Sequence, residues 1–281
     1  MLNEKRLWEY PSQLLGRLRG RGLAWAALAL GLLILMALAL RMVSGVLRRD
    51  EVWARIQRDK VLRVGMDASF PPFETVDAEG RFSGLDVDLA TELGRRWGVE
   101  VRFVNVSFDG LYDALKMDKF DLIISALPYD RTQTRDLLYS PSYFNAGQVL
   151  LARGDDLRLR SFDDLEGKMV AVELGSEAHQ LVRRLARDKG MHLEILAERE
   201  PEQTVALLRQ GKADALVCDR VTAYAYMRNA DDLRLVGPPL TDEPYVIAAR
   251  ADAPILMEQV TRALEEWRAN GLLDELLRKW L

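Results

Sequence analysis

Two carboxylates sit at the ends of apolar runs, where a polypeptide commonly meets a ligand. Asp67 follows Val61-Leu62-Arg63-Val64-Gly65-Met66, and Asp219 closes Ala213-Asp214-Ala215-Leu216-Val217-Cys218. Both runs read as strands, which puts each carboxylate at a carboxyl end, outside which open α/β sheets hold their ligands. Gly175-Ser176 is predicted to open a helix, so its free backbone N–H groups and dipole would hold a carboxylate. Each residue also has a plainer role: Asp67 as a turn former and Asp219 as a helix N-cap before Arg220. Covalent and metal chemistry find little support. Cys218 is the single cysteine, so neither an internal disulfide nor a cysteine-based zinc site can form. Only His179 and His192 remain for metal, no nucleophile–base pair is visible, and no cofactor is expected. An enzyme remains as an alternative, with Glu173, beside Cys218-Asp219, as an acid of raised pKa.

The elements that must position these residues alternate in type. Strands are predicted at 61–66, 100–106, 121–125, 147–153, 168–174, 192–196, 213–219, 233–236 and 245–250. Helices fall between them: Leu85, Leu89, Leu93 and Trp97 recur every four residues, and Pro201 is placed to start a helix running to Arg209. The chain ends on a helix over 254–270 and a second after Gly271. Strands alternating with such helices imply βαβ units and a largely parallel, buried sheet. There is also an internal echo. Leu115-Lys116-x-x-Lys119-x-Asp121-x-Ile123-Ile124 recurs, 93 residues on, as Leu208-Arg209-x-x-Lys212-x-Asp214-x-Leu216-Val217. It suggests two similar α/β lobes with a ligand between them; chance likeness of two helix-to-strand junctions is the alternative.

Charge divides the 281 residues unequally. Residues 1–59 hold 10 Lys/Arg against 5 Asp/Glu, and residues 60–281 hold 29 against 38. A basic leader before an acidic body is not the pattern of a nucleic-acid binder, and no nucleic acid is expected as a partner. Hydrophobic content of 49% with 29% charged residues excludes a disordered chain. After a basic N-terminus over 1–22, the 18 residues 23–40 carry no charge. As a helix they just cross a hydrocarbon core of roughly 30 Å. An uncleaved transmembrane signal anchor is the first reading, and cleavage after Ala37-Leu38-Ala39 the alternative. Residues 41–59 read as a polar stalk.

The string Leu62-Arg63-Val64-Gly65-Met66-Asp67-Ala68-Ser69-Phe70-Pro71-Pro72-Phe73 is the most specific in the chain. With Phe82-Ser83-Gly84-Leu85-Asp86-Val87-Asp88-Leu89-Ala90, Phe120-Asp121-Leu122-Ile123-Ile124-Ser125, Tyr139-Ser140-Pro141-Ser142-Tyr143-Phe144 and Leu165-Glu166-Gly167-Lys168, it resembles the family 3 extracellular solute-binding proteins. The resemblance covers about 60–281. It implies a two-lobed periplasmic-binding-protein type II fold with a hinge, here preceded by one N-terminal transmembrane helix. Lobe one would be 60–147 with 245–281, and lobe two 148–244, with hinge strands near 145–149 and 242–245. The function implied is capture of a small amino-acid-like ligand for the permease of an ABC importer, on the extracytoplasmic side of the membrane. A dehydratase of cyclic prephenate-like acids on the same fold, or a sensor coupled to a membrane partner, would be the alternatives.

Residue roles follow. Phe70 and Phe108 would wall the ligand with faces that also favour cations, unless they are core. Asp219 would pair with a ligand ammonium, which needs a charge-assisted partner when buried. Asp67 would fix a side-chain group or another residue of the site. Departures from the family pattern weaken an ordinary zwitterionic ligand. Pro128 replaces the Thr of a Gly-x-Thr segment, and Gln133 falls where an Arg clamps the ligand carboxylate. Arg135 is the favoured clamp by a local shift, with Arg131 second. Glu173 stands where many members carry a basic or neutral group.

Overall fold

The computed structural model describes residues 30, 31, 34, 36, 50–228 and 231–281. The expected anchor falls on 23–40 and so lies almost wholly outside the described residues, as do residues 41–49 of the stalk. Among the described residues, no helix is long and apolar enough to cross a membrane. Residues 50–281 are described below by themselves.

Two five-stranded sheets share one wiring. The first runs in the order Glu100–Asn105, Val61–Met66, Leu122–Ile123, Ala248–Arg250, Leu137–Tyr139. The second runs Glu194–Glu198, Met169–Glu173, Ala215–Asp219, Gln148–Arg153, Leu233–Val236. In each, three strands are parallel, and the fourth, antiparallel to them, belongs to a segment that has just crossed from the other lobe. The echoed aspartates explain part of this likeness. Asp121 Oδ2 accepts from the Arg63 N–H at 2.9 Å, and Asp214 Oδ2 from the Met169 N–H at 2.9 Å. Each ties the third strand in that order to the second, so the shared motif sets shared register.

Burial follows the apolar pattern. Leu62, Val64 and Met66 are wholly buried in the first lobe, with Leu85, Leu89 and Leu93 of helix Leu85–Trp97 packed in the same core. Val170, Val172 and Val217 do the same in the second. Gly65 is small for a reason: a Cβ there would lie 2.3 Å from the ring of Phe120. Pro201 starts helix Pro201–Arg209, and Gly271, at φ +86°, breaks the C-terminal helix into Pro254–Asn270 and Leu272–Trp280.

Some expectations change. The strand expected over 121–125 shrinks to Leu122–Ile123: ahead of it the Asp121 side chain takes the Arg63 N–H, and beyond it the chain turns at Ala126, φ +40°, whose N–H goes to Asp86. Residues 245–250 break into Pro244–Tyr245 and Ala248–Arg250. Residues 50–59, expected in the stalk, form helix Glu51–Asp59, whose Val52 and Ile56 enter the core of lobe one. Its N-cap Asp50 is 3% exposed and accepts from the Leu256 N–H at 2.7 Å, which fastens the helix to the C-terminal one.

The chain crosses between lobes twice, at 144–148 and 240–245. Phe144–Asn145 pairs antiparallel with Pro244–Tyr245, the Ala146 N–H donates to the Glu243 carbonyl at 2.9 Å, and the Gln148 N–H to Thr241 Oγ1 at 2.8 Å. The two segments approach so closely at Gly147 that a Cβ there would lie 2.0 Å from the Thr241 carbonyl oxygen.

Candidate functional site

A cavity of about 430 Å³ opens against the crossing segments, with Phe70 and Tyr245 on one side and the carboxyl ends of strands Met169–Glu173 and Ala215–Asp219 on the other. Of the residues singled out from sequence, Phe70, Glu173, Ser176 and Asp219 line it. Among the lining residues not singled out from sequence are Gln148, Glu177, Glu243 and Tyr245. Gln148, Glu243 and Tyr245 come from the crossings, where sequence shows no motif; Glu177 opens the helix after Ser176, a hint available from sequence.

Asp219 combines two roles. It caps helix Arg220–Met227 by accepting from the Thr222 N–H at 2.8 Å and from Thr222 Oγ1 at 2.6 Å, while lining the cavity. Beside it, burial and the Asp219 charge push the Cys218 thiol up, so it stays protonated and is ill suited as a nucleophile. Gln148, facing Asp219 across the paired strands, is 5% exposed, and its Oε1 has no hydrogen-bond partner. Glu243 is pushed up, first by burial and then by the charges of Glu177 and Asp219. The cavity is therefore crowded with negative charge.

Gly175 and Ser176 differ from expectation. The Gly175 N–H donates to His179 Nδ1 at 3.2 Å and the Ser176 N–H to the Glu173 carbonyl at 3.2 Å, so neither is free for a carboxylate. Gly175 itself sits at φ +82°, and Ser176 caps helix Glu177–Lys189, accepting from the His179 N–H. Arg131 and Arg135 are exposed on the 130–136 segment and do not line the cavity. That segment is organised locally: Asp130 accepts from the Thr132 N–H, and Lys116 reaches Gln133 and Asp136.

Asp67 does not line the cavity; it builds the rim. Its Oδ1 accepts from Ser69 Oγ at 2.7 Å and its Oδ2 from the Phe108 N–H at 2.9 Å, so one carboxylate ties together the segments carrying Phe70 and Phe108. Both rings are 43% exposed. Phe70 stacks on Phe73 at 5.7 Å, while Phe108 lies outside the cavity lining.

Beneath this rim lies a carboxyl pair. Glu74 and Asp86 are 1% and 0% exposed. Glu74 Oε1 accepts from Ser125 Oγ at 2.7 Å; Asp86 Oδ2 accepts from the Ala126 N–H and from Tyr143 Oη at 3.0 Å. Glu74 Oε2 and Asp86 Oδ1 have no hydrogen-bond partner. Burial, then the charge of Asp86, pushes Glu74 far above the usual carboxylate range, so Glu74 keeps its proton.

Comparison with known proteins agrees with this architecture. The family model of the bacterial extracellular solute-binding proteins, family 3, matches residues 62–281. The lysine/arginine/ornithine-binding periplasmic protein of Escherichia coli is 28% identical, covering 86% of this chain and 95% of its own. The L-arginine-binding protein of Pseudomonas aeruginosa is 29% identical over 79% and 88%. Among solved structures, an ancestral cationic amino acid solute binding protein is 32% identical over 81% of this chain and 98% of its own, with a TM-score of 0.61. An ancestral cyclohexadienyl dehydratase, 22% identical over 80% and 94%, shares the fold with a TM-score of 0.70.

Proposed function

Because the chain belongs to the bacterial extracellular solute-binding proteins of family 3, we propose that it captures a small cationic solute, an amino acid or related compound, and delivers it to an ABC importer. The observation that carries the charge preference is the cavity itself: Glu173, Glu177, Asp219 and Glu243 line it, and among the described residues no Lys, Arg or His does. Asp219 pairs with an ammonium of the solute, and Phe70 offers its face to a cation. Binding energy shifts the hinge toward closure about the crossings at 144–148 and 240–245. The relatives' names agree in kind, since they bind arginine, lysine and ornithine.

Anchoring belongs to the same reading. The uncharged run 23–40 with basic flanks would hold the binding unit at the outer face of the membrane, beside its permease. Alkaline washing of membranes tests this: a retained anchor keeps the full-length protein in the pellet, and release into the supernatant overturns it.

The function is tested by thermal shift of the full-length protein against basic, acidic and neutral amino acids and amines. Stabilisation by basic compounds is expected. A folded protein that no solute stabilises, or that only acidic solutes stabilise, overturns the reading.

A further inference from the structure

The cavity's hydrogen-bonding inventory is one-sided, and it narrows the solute further. We infer that the solute is an organic cation without a carboxylate, a diamine or guanidino-amine rather than an amino acid; this rests on the binding role proposed above.

On the acceptor side stand four carboxylates. Among the described residues none of them forms an ion pair within the protein, so their charge is left for a ligand. A fifth acceptor is independent of that cluster. Gln148 Oε1 is buried, unpartnered and part of the cavity wall. A buried carbonyl without a donor is unfavourable until something supplies an N–H. Carboxylates and carbonyl thus ask for the same thing.

On the donor side no charged group stands: what is left is the Tyr245 hydroxyl, the Gln148 amide N–H groups and the first N–H groups of helix Glu177–Lys189, all neutral. The hydroxyls of Ser176, Thr204, Thr222 and Tyr226 each donate to a protein acceptor: the Glu173 carbonyl, the Glu200 carbonyl, Asp219 and the Pro201 carbonyl. The N–H groups of Gly175 and Ser176 are engaged as well. The helix start that could hold an anion carries Glu177 in its first turn, which already answers the dipole. The positions that would clamp a carboxylate hold Pro128, which has no N–H, and Gln133, while Arg131 and Arg135 stay outside the cavity. A carboxylate entering here would lose its water, meet no strong donor and face like charges. An ammonium or guanidinium meets acceptors on every polar wall and an aromatic face at Phe70.

Matched pairs that differ only in the carboxylate test this: agmatine against arginine, putrescine against ornithine and cadaverine against lysine, by titration calorimetry on the full-length protein. The decarboxylated member of at least one pair is expected to bind about tenfold tighter or better than its amino acid. Amino acids binding as tightly as, or tighter than, their amines overturn the inference but leave the binding role standing. Binding of neither series, with a neutral or acidic solute bound instead, overturns both. Glu173→Gln should narrow the amine-to-amino-acid ratio by weakening the amine and relieving repulsion of the carboxylate; a ratio left unchanged by both Glu173→Gln and Glu243→Gln also overturns the inference. Gln148→Leu should weaken the amine while leaving the fold intact, as read by circular dichroism.

Discussion

Two lobes of the same strand order put their carboxylates to opposite uses. In lobe one they turn inward: Glu74 and Asp86 are buried close together with Glu74 protonated, and Asp67 ties Phe70's segment to Phe108's. In lobe two Glu173, Glu177 and Asp219 turn outward into the cavity with no cation to neutralise them. The difference lies in what surrounds each carboxyl. Buried beside a hydroxyl, a tyrosine and a second carboxyl, an acid becomes a hydrogen-bonded strut; at a strand end facing water, it is left open to a solute. Residue type alone does not separate the two uses.

The sharpest way to break this comparison is to remove one acid from each lobe. Asp219→Ala should cost roughly 30- to 1,000-fold in solute affinity, the range for truncating one partner of a buried charge pair. Its stability cost should be only that of a lost cap, about 1 kcal/mol. Asp86→Ala should do the reverse. It strands the Ala126 N–H and Tyr143 hydroxyl, so unfolding in denaturant should show a loss of about 2–5 kcal/mol, while the remaining folded fraction binds solute normally. Similar profiles for the two variants would erase the distinction. Next in size is Gly147→Ala, where the added methyl meets the Thr241 carbonyl at the crossing. Overpacking of this kind costs about 1–3 kcal/mol, and calorimetry of the variant should also show altered solute affinity, since the crossings join both lobes.

The fold was legible where apolar period and echo coincide. Val61–Met66 and Leu233–Val236 fall where the β-branched runs place them, and the aspartates of the echo do the same job in each sheet. Boundaries failed where side chains take the ladder's partners: Asp121 takes the Arg63 N–H ahead of Leu122, and beyond Ile123 the Ala126 N–H goes to Asp86. The helix Glu51–Asp59 reads as stalk in sequence because its polar face dominates; its Asp50 cap, the side chains of Val52, Trp53 and Ile56, and the Arg55–Asp121 ion pair bind it to the lobe. In the site, the strand-end residues Glu173 and Asp219 were legible because a strand's carboxyl end is a local property. Gln148 and Glu243 were not, since they enter the cavity only through the pairing of crossings some 95 residues apart. Glu74 was missed for a related reason: its partner Asp86 becomes visible only once the loop folds over the helix.

A middle-sized effect concerns pH. Glu74's pKa is raised on folding, so the native state holds a proton that the unfolded chain loses. Stability is then greatest below the ordinary value of 4.5 for this group, and falls as pH climbs from there toward the raised value, about 11. Denaturant unfolding at about pH 5 and about pH 9 should show lower stability at the higher pH, and Glu74→Gln, which carries a permanent donor, should flatten the difference. Lobe two predicts the opposite for function: solute affinity should rise with pH across the range in which Glu243, raised by burial and by Glu177 and Asp219, becomes ionised. An unaltered stability slope in Glu74→Gln would place the titrating group elsewhere.

The smallest expected effect is the most discriminating about ligand chemistry. Arg131→Ala and Arg135→Ala should each leave solute affinity within about twofold, the scale of a remote rim charge. Both side chains are exposed and lie outside the cavity lining, on a segment held by Asp130 and Lys116. If Arg135→Ala instead abolishes binding of an amino acid, the segment must swing its guanidinium inward on closure, and lobe one would then supply the cation that the lining lacks. The solute would in that case carry a carboxylate, the acidic array of lobe two would serve its ammonium end alone, and the division between a structural lobe and a binding lobe would give way to a site shared by both.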